Sequence, residues 1–215
     1  MIDLTNYKKN FREFATNVDF INEIIINLNL EKDSKILDIG TGMGTMSILL
    51  ALNGFHVLTG EPEVDSERDG EDHHGHHHDD NNEVQYKNHE EYIGELWKDW
   101  RKSAKNLGVE DKIQYQNFDV HNLSFVSQSF DGIFLYDTLQ HVNNREMALN
   151  ECVRVLKNDG VIVIIEWTKK QIEEDFKKYG FKIDYIDPRD FVSRKDIMIE
   201  ELNSELVNIY LIRKK

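Results

Sequence analysis

The segment Lys35-Ile-Leu-Asp-Ile-Gly-Thr-Gly-Met-Gly44 joins a short apolar strand to three glycines spaced G-x-G-x-G. Residues 45–53 then have the apolar content of a helix, and Gly54 is suited to its C-terminal cap. Glycines between a strand and a helix let the backbone turn sharply and let a ligand approach without a Cβ clash. The start of the helix offers unpaired N–H groups to an anionic group. The segment therefore predicts a strand–loop–helix unit that binds a ligand at the loop.

An acidic residue follows the next predicted strand. Glu61 comes directly after residues 55–60 and lies 21 residues after Gly40. An acid at about this separation can accept hydrogen bonds from both ribose hydroxyls of an adenosine ligand. The spacing thus predicts an adenosine-type cofactor, although it does not by itself separate a dinucleotide from S-adenosylmethionine.

Strand-like and helix-like patterns alternate along the rest of the chain. Further strands are predicted at 112–119, 130–136, 161–166, 181–186 and 206–213, and helices at 7–30, 92–108, 145–156 and about 170–179, with a turn at 157–160. This alternation predicts βαβ units and a parallel sheet with ligands at the carboxyl ends of its strands. We expect an α/β, Rossmann-like fold in which a seven-stranded, mostly parallel sheet has helices on both faces.

Size and charge restrict the class of protein. The 215 residues fit one domain, 1–215, and no apolar run is long enough to span a bilayer. The single cysteine, Cys152, is expected to be a buried small hydrophobe, and its isolation suits a reducing cytosol. The net charge of −14 disfavours a nucleic acid backbone as partner, although residues 61–80, with nine acids and one arginine, contribute −8 of it. We therefore expect a cytoplasmic protein that binds neither DNA nor a membrane.

The glycine segment resembles the first motif of the class I S-adenosylmethionine-dependent methyltransferases, specifically the type 11 small-molecule group. That motif is an acid, any residue and then G-x-G-x-G, which Asp38-Ile-Gly-Thr-Gly-Met-Gly44 matches. Further similarities follow in the family's order: Glu61, Phe118-Asp119-Val120, Phe130-Asp131, Leu139-Gln-His141-Val142 and Arg154-Val-Leu-Lys157. The usual Pro-Gly-Gly is here Asn158-Asp159-Gly160. The resemblance covers about residues 35–166.

The resemblance implies methyl transfer from S-adenosylmethionine to an acceptor, with a small molecule the best class. It implies that the cofactor is bound by Asp38, Gly40, Thr41, Gly42, Gly44, Glu61, Asp119, Val120 and Tyr136. If the acceptor must lose a proton, the candidate catalytic residues are Tyr136, Asp137 and His141. Each has a structural alternative: a packed aromatic ring for Tyr136, a helix N-cap for Asp137 and a structural role for His141.

The N-terminal residues 1–30 are expected to form a helical cover. Apolar residues recur there at helical spacing, and packing on the sheet is the default interpretation. Tyr7, Phe11 and Phe14 make this region the candidate lid over the acceptor site.

A low-complexity insertion at 62–86 follows Glu61 immediately and is expected to be disordered without metal. It contains the candidate metal ligands His73, His74, His76, His77 and His78. Imidazoles favour divalent transition metals such as nickel, zinc, copper or cobalt. A solvated acidic loop with incidental metal affinity, a metal-regulated methyltransferase and a metal-binding protein on a methyltransferase scaffold all remain open. A nicotinamide-dependent oxidoreductase is a further alternative, which the glycine spacing disfavours.

Overall fold

The computed structural model describes residues 2–61, 99–180 and 183–215. These residues form a seven-stranded sheet in the order β3-β2-β1-β4-β5-β7-β6. The strands are β1 (Lys35–Ile39), β2 (His56–Gly60), β3 (Ile113–Tyr115), β4 (Phe130–Tyr136), β5 (Leu156–Trp167), β6 (Ile197–Asn203) and β7 (Val207–Lys214). Strands β1 to β5 pair in parallel, whereas β7 runs antiparallel to both β5 and β6. The expected Rossmann-like, mostly parallel sheet is confirmed.

The described helices lie between and before the strands. They are α1 (Thr5–Phe11), α2 (Val18–Asn27), α3 (Thr45–Leu52), α4 (Trp100–Asn106), α5 (Arg145–Val155) and α6 (Lys169–Tyr179). Side chains at Asn144 and Thr168 accept backbone N–H bonds at the starts of α5 and α6, and Gly180 ends α6 at φ +78°. Local capping chemistry thus sets the helix boundaries around the last parallel strand.

Alternating strand residues supply two hydrophobic cores. One core combines α1 to α4 with side chains such as Ile36 and Phe134, and the other combines α5 with Leu37 and Leu135. Successive strand side chains point to opposite faces, so the sheet is covered by helices on both sides. Cys152 lies fully buried in the second core, which confirms the expectation that it packs as a small hydrophobe.

Three predicted elements differ from the structure. The strand predicted at 181–186 is wrong, because residues 183–187 have no regular structure and the strand that pairs with β7 is Ile197–Asn203. The turn predicted at 157–160 lies within β5, where the register with β4 is interrupted between Phe130 and Gly132. The strand predicted at 112–119 is shorter, Ile113–Tyr115. Strand β6 pairs with β7 through backbone hydrogen bonds, which form whatever the pattern of side chains. The hydrophobic periodicity of the sequence therefore did not reveal β6.

The carboxyl ends of β1, β2 and β4 meet at one edge of the sheet. β1 lies between β2 and β4, so the chain leaves β1 where the strand order reverses direction. Ligands of open α/β sheets bind in the crevice at such a switch point. Among the residues that the structure describes, no helix combines the length and apolar character needed to cross a bilayer.

Candidate cofactor and methyl-transfer site

The glycine loop (Gly40–Gly44) connects β1 to α3 through three glycines with positive φ. Gly40, Gly42 and Gly44 have φ of +89°, +47° and +78°. Backbones in this left-handed region strongly favour glycine. A Cβ at Gly40 would lie 2.6 Å from Oγ1 of Thr138, which follows β4. The glycines are therefore required both by the turn and by the close approach of the chain after β4.

Asp38 lies beneath this loop, fully buried in β1. Its Oδ2 accepts hydrogen bonds from the Ser47 hydroxyl and, at 3.0 Å, from Thr59 Oγ1. Thr41, one of the predicted cofactor residues, is buried behind the loop with its Oγ1 2.9 Å from Thr59 Oγ1. The network joins β1, β2, the loop and α3, and so fixes where the Asp38 carboxyl points.

The second Asp38 oxygen, Oδ1, is buried without a hydrogen-bond partner among the described residues. Burial raises the pKa of Asp38 to about 7, against the opposing effect of the Ser47 and Thr59 hydrogen bonds. The charge of Glu61 adds to the increase. A buried acceptor left unpaired is costly, so this oxygen is suited to a cationic hydrogen-bond donor from a ligand.

Glu61 reaches the glycine loop from the end of β2. Its Oε1 accepts a hydrogen bond from the Gly42 amide at 2.5 Å, and its backbone oxygen accepts from Phe118 N at 3.1 Å. The side chain therefore lies at the loop, as the spacing from Gly40 predicts for a ribose-binding acid. Gly60, the residue before it, packs so closely on the chain after β3 that an added Cβ would lie 1.8 Å from the Gln116 oxygen.

Two of the predicted cofactor-binding residues, Asp119 and Val120, follow β3. Asp119 is exposed, and its Oδ1 accepts from the His121 amide at 2.9 Å and contacts His121 Nδ1 at 2.7 Å. These hydrogen bonds, led by the one from the backbone, lower the pKa of Asp119. Val120 is buried in the second core. Asp119 is thus an ionised acceptor on an ordered turn, and its role toward a ligand stays a prediction.

Tyr136 and Asp137 end β4 in different settings. The Tyr136 ring lies 6.2 Å from that of Trp167, and Tyr136 borders a cavity of about 10 Å³, the size of one water, beside Tyr7 and Thr45. Burial, together with the charges of Asp137 and Glu166, raises the pKa of Tyr136, so its phenol stays protonated at neutral pH.

Asp137 adopts the left-handed conformation at φ +53°, which aspartate tolerates better than most residues. Burial raises its pKa to about 7, partly offset by hydrogen bonds from the Trp167 and Gln140 side chains. It does not precede a regular α-helix directly, because a short 3-10 turn, Leu139–His141, follows. His141 in that turn is exposed.

Glu166, at the carboxyl end of β5, was not among the residues singled out from the sequence. It is only 3% exposed, and its Oε1 accepts a hydrogen bond from the Leu139 amide at 3.0 Å. Burial, and then the charge of Asp137, raise its pKa to about 8. The sequence feature that could have identified Glu166 is an acid that follows five consecutive apolar residues in a central strand, because an ionisable side chain buried there needs partners.

The N-terminal helices pack on the same edge of the sheet. The Tyr7 hydroxyl donates to the Thr45 backbone oxygen at 2.9 Å, and the Tyr7 and Phe11 rings lie 4.6 Å apart. Both side chains are buried. This contact places α1 against the start of α3, while the proposed lid function stays a prediction.

The candidate metal ligands His73, His74, His76, His77 and His78 lie outside the described residues, as does the whole 62–86 insertion. Within residues 2–61, 99–180 and 183–215, no group of three or more His, Cys, Asp or Glu side chains could hold a metal ion. The metal prediction therefore rests on composition alone.

The residues at this edge fit S-adenosylmethionine. The unpaired Asp38 oxygen has the chemistry to accept from an ammonium group, and the Glu61 carboxylate at the loop has the chemistry to accept from ribose hydroxyls. Asp38, the glycine loop, Glu61 and Tyr136 come together at the ends of adjacent strands, whereas Asp119 lies on the turn beyond β3.

Comparison with known proteins supports the same family. A model of the type 11 family, described as a methyltransferase domain, matches residues 81–164, so the glycine loop lies outside the matched range. The ubiquinone/menaquinone biosynthesis C-methyltransferase of Enterobacter sp. (strain 638) is 32% identical over 89 residues, 41% of this chain and 36% of that protein. The enzyme of the same name from Salmonella arizonae is 33% identical over the same shares. The chain thus spans about a third of the length of these curated relatives.

Solved structures show the same fold at low sequence identity. The PH0226 protein of Pyrococcus horikoshii OT3 superposes with a TM-score of 0.66 at 15% identity, covering 95% of this chain and 92% of that one. A SAM-dependent methyltransferase from Aquifex aeolicus superposes with a TM-score of 0.55 at 15% identity, covering 99% of each chain. The family model covers less than half of the chain, and the solved structures show that the chain shares their fold.

Proposed function

We propose that this protein binds S-adenosylmethionine at the carboxyl edge of β1, β2 and β4 and transfers its methyl group to a small-molecule acceptor. The observation that carries the proposal is the buried, unpaired Oδ1 of Asp38 beneath a glycine loop that Glu61 contacts. Asp38 would accept from the amino group of the cofactor, and Glu61 from its ribose. The resemblance assigns the adenine amino group to Asp119.

When bound, the cofactor supplies a methyl group on a sulfonium, a good leaving group. The protein's share of the acceleration then comes from alignment and from exclusion of water. Tyr136, Trp167 and Asp137 form the wall at the ends of β4 and β5, where the acceptor would meet that methyl group. A general base is needed only if the acceptor must lose a proton.

Asp137 is the best candidate for that base among the three predicted catalytic residues. Its pKa of about 7 lies near neutral pH, where a residue that accepts a proton is most effective. The raised pKa of Tyr136 makes it a hydrogen-bond donor instead, and His141 is exposed. The structure thus favours Asp137 as base and Tyr136 as an orienting donor.

Calorimetric titration with S-adenosylhomocysteine, beside NAD, tests the cofactor. We expect saturable binding of S-adenosylhomocysteine and none of NAD. Selective binding of NAD would overturn the proposal in favour of an oxidoreductase. Transfer of label from methyl-labelled S-adenosylmethionine to a panel of small acceptors then tests the reaction. The panel should include carbon acceptors, because the curated relatives are named C-methyltransferases.

Metal regulation is a second candidate, favoured only by the five histidines within residues 73–78. Nickel and zinc titrations with and without S-adenosylhomocysteine test it, with the chain lacking residues 64–82 as control. A metal that changes cofactor affinity in the full chain alone would support regulation. Equal affinity with metal and with chelator would reject it.

A further inference from the structure

An acidic and a basic side chain hold the turn after β4 from different elements. We call residues Asp137–His141 the post-β4 turn. Glu166 of β5 accepts a hydrogen bond from the Leu139 amide at 3.0 Å. Arg145 of α5 donates from Nε to the Leu139 oxygen at 2.8 Å and from Nη2 to the Gln140 oxygen at 3.4 Å. An acid therefore holds backbone N–H groups of the turn, and a guanidinium holds its carbonyl groups.

Burial makes this contact costly to break. Leu139 is fully buried and Glu166 nearly so. The Thr138 amide also donates to the Glu166 carboxyl, and hydrogen bonds from both amides work against the increase that burial causes in its pKa. If the carboxylate were removed, two backbone N–H groups at a buried position would lose their acceptor.

Thr138 connects the turn to the glycine loop. Its Oγ1 donates to the Ile39 oxygen at 3.0 Å, at the last residue of β1. The same Oγ1 would lie 2.6 Å from a Cβ at Gly40, so the Thr138 side chain packs directly against the Gly40 backbone. A displacement of the post-β4 turn therefore changes the wall of the cofactor loop, because close-packed groups transmit such shifts.

We propose that Glu166 and Arg145 are positioning residues of this site: together they hold the post-β4 turn so that Thr138 stays against Gly40 and shapes the cofactor pocket. Neither residue need touch the cofactor. The inference rests on the proposed function, since it assumes that the pocket beside Gly40 holds S-adenosylmethionine.

Glu166→Gln and Arg145→Met test the proposal by calorimetric titration with S-adenosylhomocysteine. The amide in Glu166→Gln keeps the shape of the side chain but turns its NH2 donor toward one backbone N–H. Arg145→Met removes both hydrogen bonds to the Leu139 and Gln140 carbonyls. We expect affinity to fall about tenfold in each, the effect of leaving one buried backbone group without its hydrogen-bond partner. Arg145→Lys, which keeps the charge without the fork, should recover part of the affinity.

The matched control is Asp131→Asn. Asp131 also accepts a backbone N–H bond, from Lys35 at 2.8 Å, and pairs with Lys157 at 2.7 Å, but at the starting ends of β1 and β4. The Asp131→Asn variant therefore destabilises the same sheet at the opposite edge. We expect the affinity of Asp131→Asn for S-adenosylhomocysteine to stay within about twofold of that of the parent chain. This should hold even if its unfolding midpoint falls as far as that of Glu166→Gln.

The outcomes separate the inference from the proposed function. If the parent chain does not bind S-adenosylhomocysteine, the proposed function fails. If the parent chain binds and both site variants bind as tightly as Asp131→Asn, the positioning role is wrong and the contacts are structural only. Should Glu166→Gln fail to fold, Arg145→Lys and Arg145→Met decide alone, because Arg145 is only half-buried.

Discussion

The Gly42 amide donates a hydrogen bond to Oε1 of Glu61 at 2.5 Å, which ties the middle of the glycine loop to the end of β2. The contact orients a carboxylate at the place where an adenosine ribose is expected. A preoriented acceptor avoids part of the entropic cost of ordering a side chain on binding. Glu61 is thus both a support of the loop and a ligand-binding candidate.

Glu61→Ala should weaken S-adenosylhomocysteine binding about tenfold to a hundredfold, because it removes charge-assisted hydrogen bonds to the ribose. Calorimetric titration measures the change. The matched control is Glu110→Ala, since Glu110 is an exposed acid in the short turn before β3. Equal affinities for the two variants would rule out Glu61 as the ribose acceptor.

The pH dependence of cofactor affinity reports on Asp38. Its pKa is about 7, because the carboxyl is buried. The ionised form is the one that pairs with an ammonium group, so binding must release the proton whenever the pH is below that value. Affinity for S-adenosylhomocysteine should therefore increase from pH 5.5 to 8, approaching about tenfold per unit at the acidic end.

Asp38→Asn should flatten this profile and lower affinity at pH 8, because the amide cannot ionise. Titrations in buffers of different ionisation enthalpy count the protons released by the parent chain. A parent profile that is flat between pH 5.5 and 8, with no proton release, would contradict the assignment of Asp38 to the cofactor's amino group.

Three raised pKa values also predict how stability depends on pH. Asp38 and Asp137 have pKa values of about 7 and Glu166 of about 8, all above the roughly 4 of unfolded carboxyls. The folded chain therefore binds more protons than the unfolded chain between those limits. Their contribution to stability is complete below about pH 4 and is lost as the pH rises through 7 to 8.

The free energy of unfolding of the ligand-free chain should accordingly fall between pH 5 and pH 8. Urea unfolding at each pH measures it, and Glu166→Gln should show a shallower slope because one of the three groups no longer titrates. Asp131 and Glu151, whose pKa values are lowered, titrate at more acidic pH and do not enter this window. If the free energy of unfolding instead rises from pH 5 to pH 8, the raised pKa values of these three carboxyls are wrong.

The parts of the site that could be predicted from sequence are those that one local segment encodes. The glycine loop requires positive φ at three positions, and that requirement is visible as the residues Gly40, Gly42 and Gly44. Glu61 was predicted because βαβ geometry fixes the separation between the ends of adjacent strands. Both follow from chain-local rules that tertiary packing does not override.

The parts that could not be predicted depend on which distant segments meet. Glu166 reads as the end of an apolar strand, and only the fold brings it to Leu139, 27 residues earlier. Thr138 has no sequence pattern that reveals its contact with Gly40 across two strands. Strand β6 was missed because its partner β7 fixes it through backbone hydrogen bonds, and Ile197–Asn203 includes two adjacent acids that break the alternation.

Gly40→Ala tests the contact between the glycine loop and the post-β4 turn. The change forces a Cβ to within 2.6 Å of Thr138 Oγ1 and also strains the backbone at φ +89°. Gly108→Ala is the matched control, because Gly108 has φ +70° but nothing within 4 Å of its added Cβ. Gly108→Ala should cost only the conformational strain, about 1–2 kcal/mol of unfolding free energy. Gly40→Ala should cost about 1–3 kcal/mol more from the clash, and should also weaken S-adenosylhomocysteine binding.

The double variant Gly40→Ala/Thr138→Ala separates the two causes. It removes Oγ1 and Cγ2, the atoms nearest the added Cβ, so stability should recover by most of the clash cost while the φ strain remains. Urea unfolding of the parent chain, Gly40→Ala, Thr138→Ala and the double variant measures the changes in unfolding free energy. These changes are non-additive if the two residues touch. Equal losses in Gly40→Ala and Gly108→Ala, with no gain from Thr138→Ala, would show that Thr138 yields freely. The post-β4 turn would then be too mobile to shape the cofactor loop.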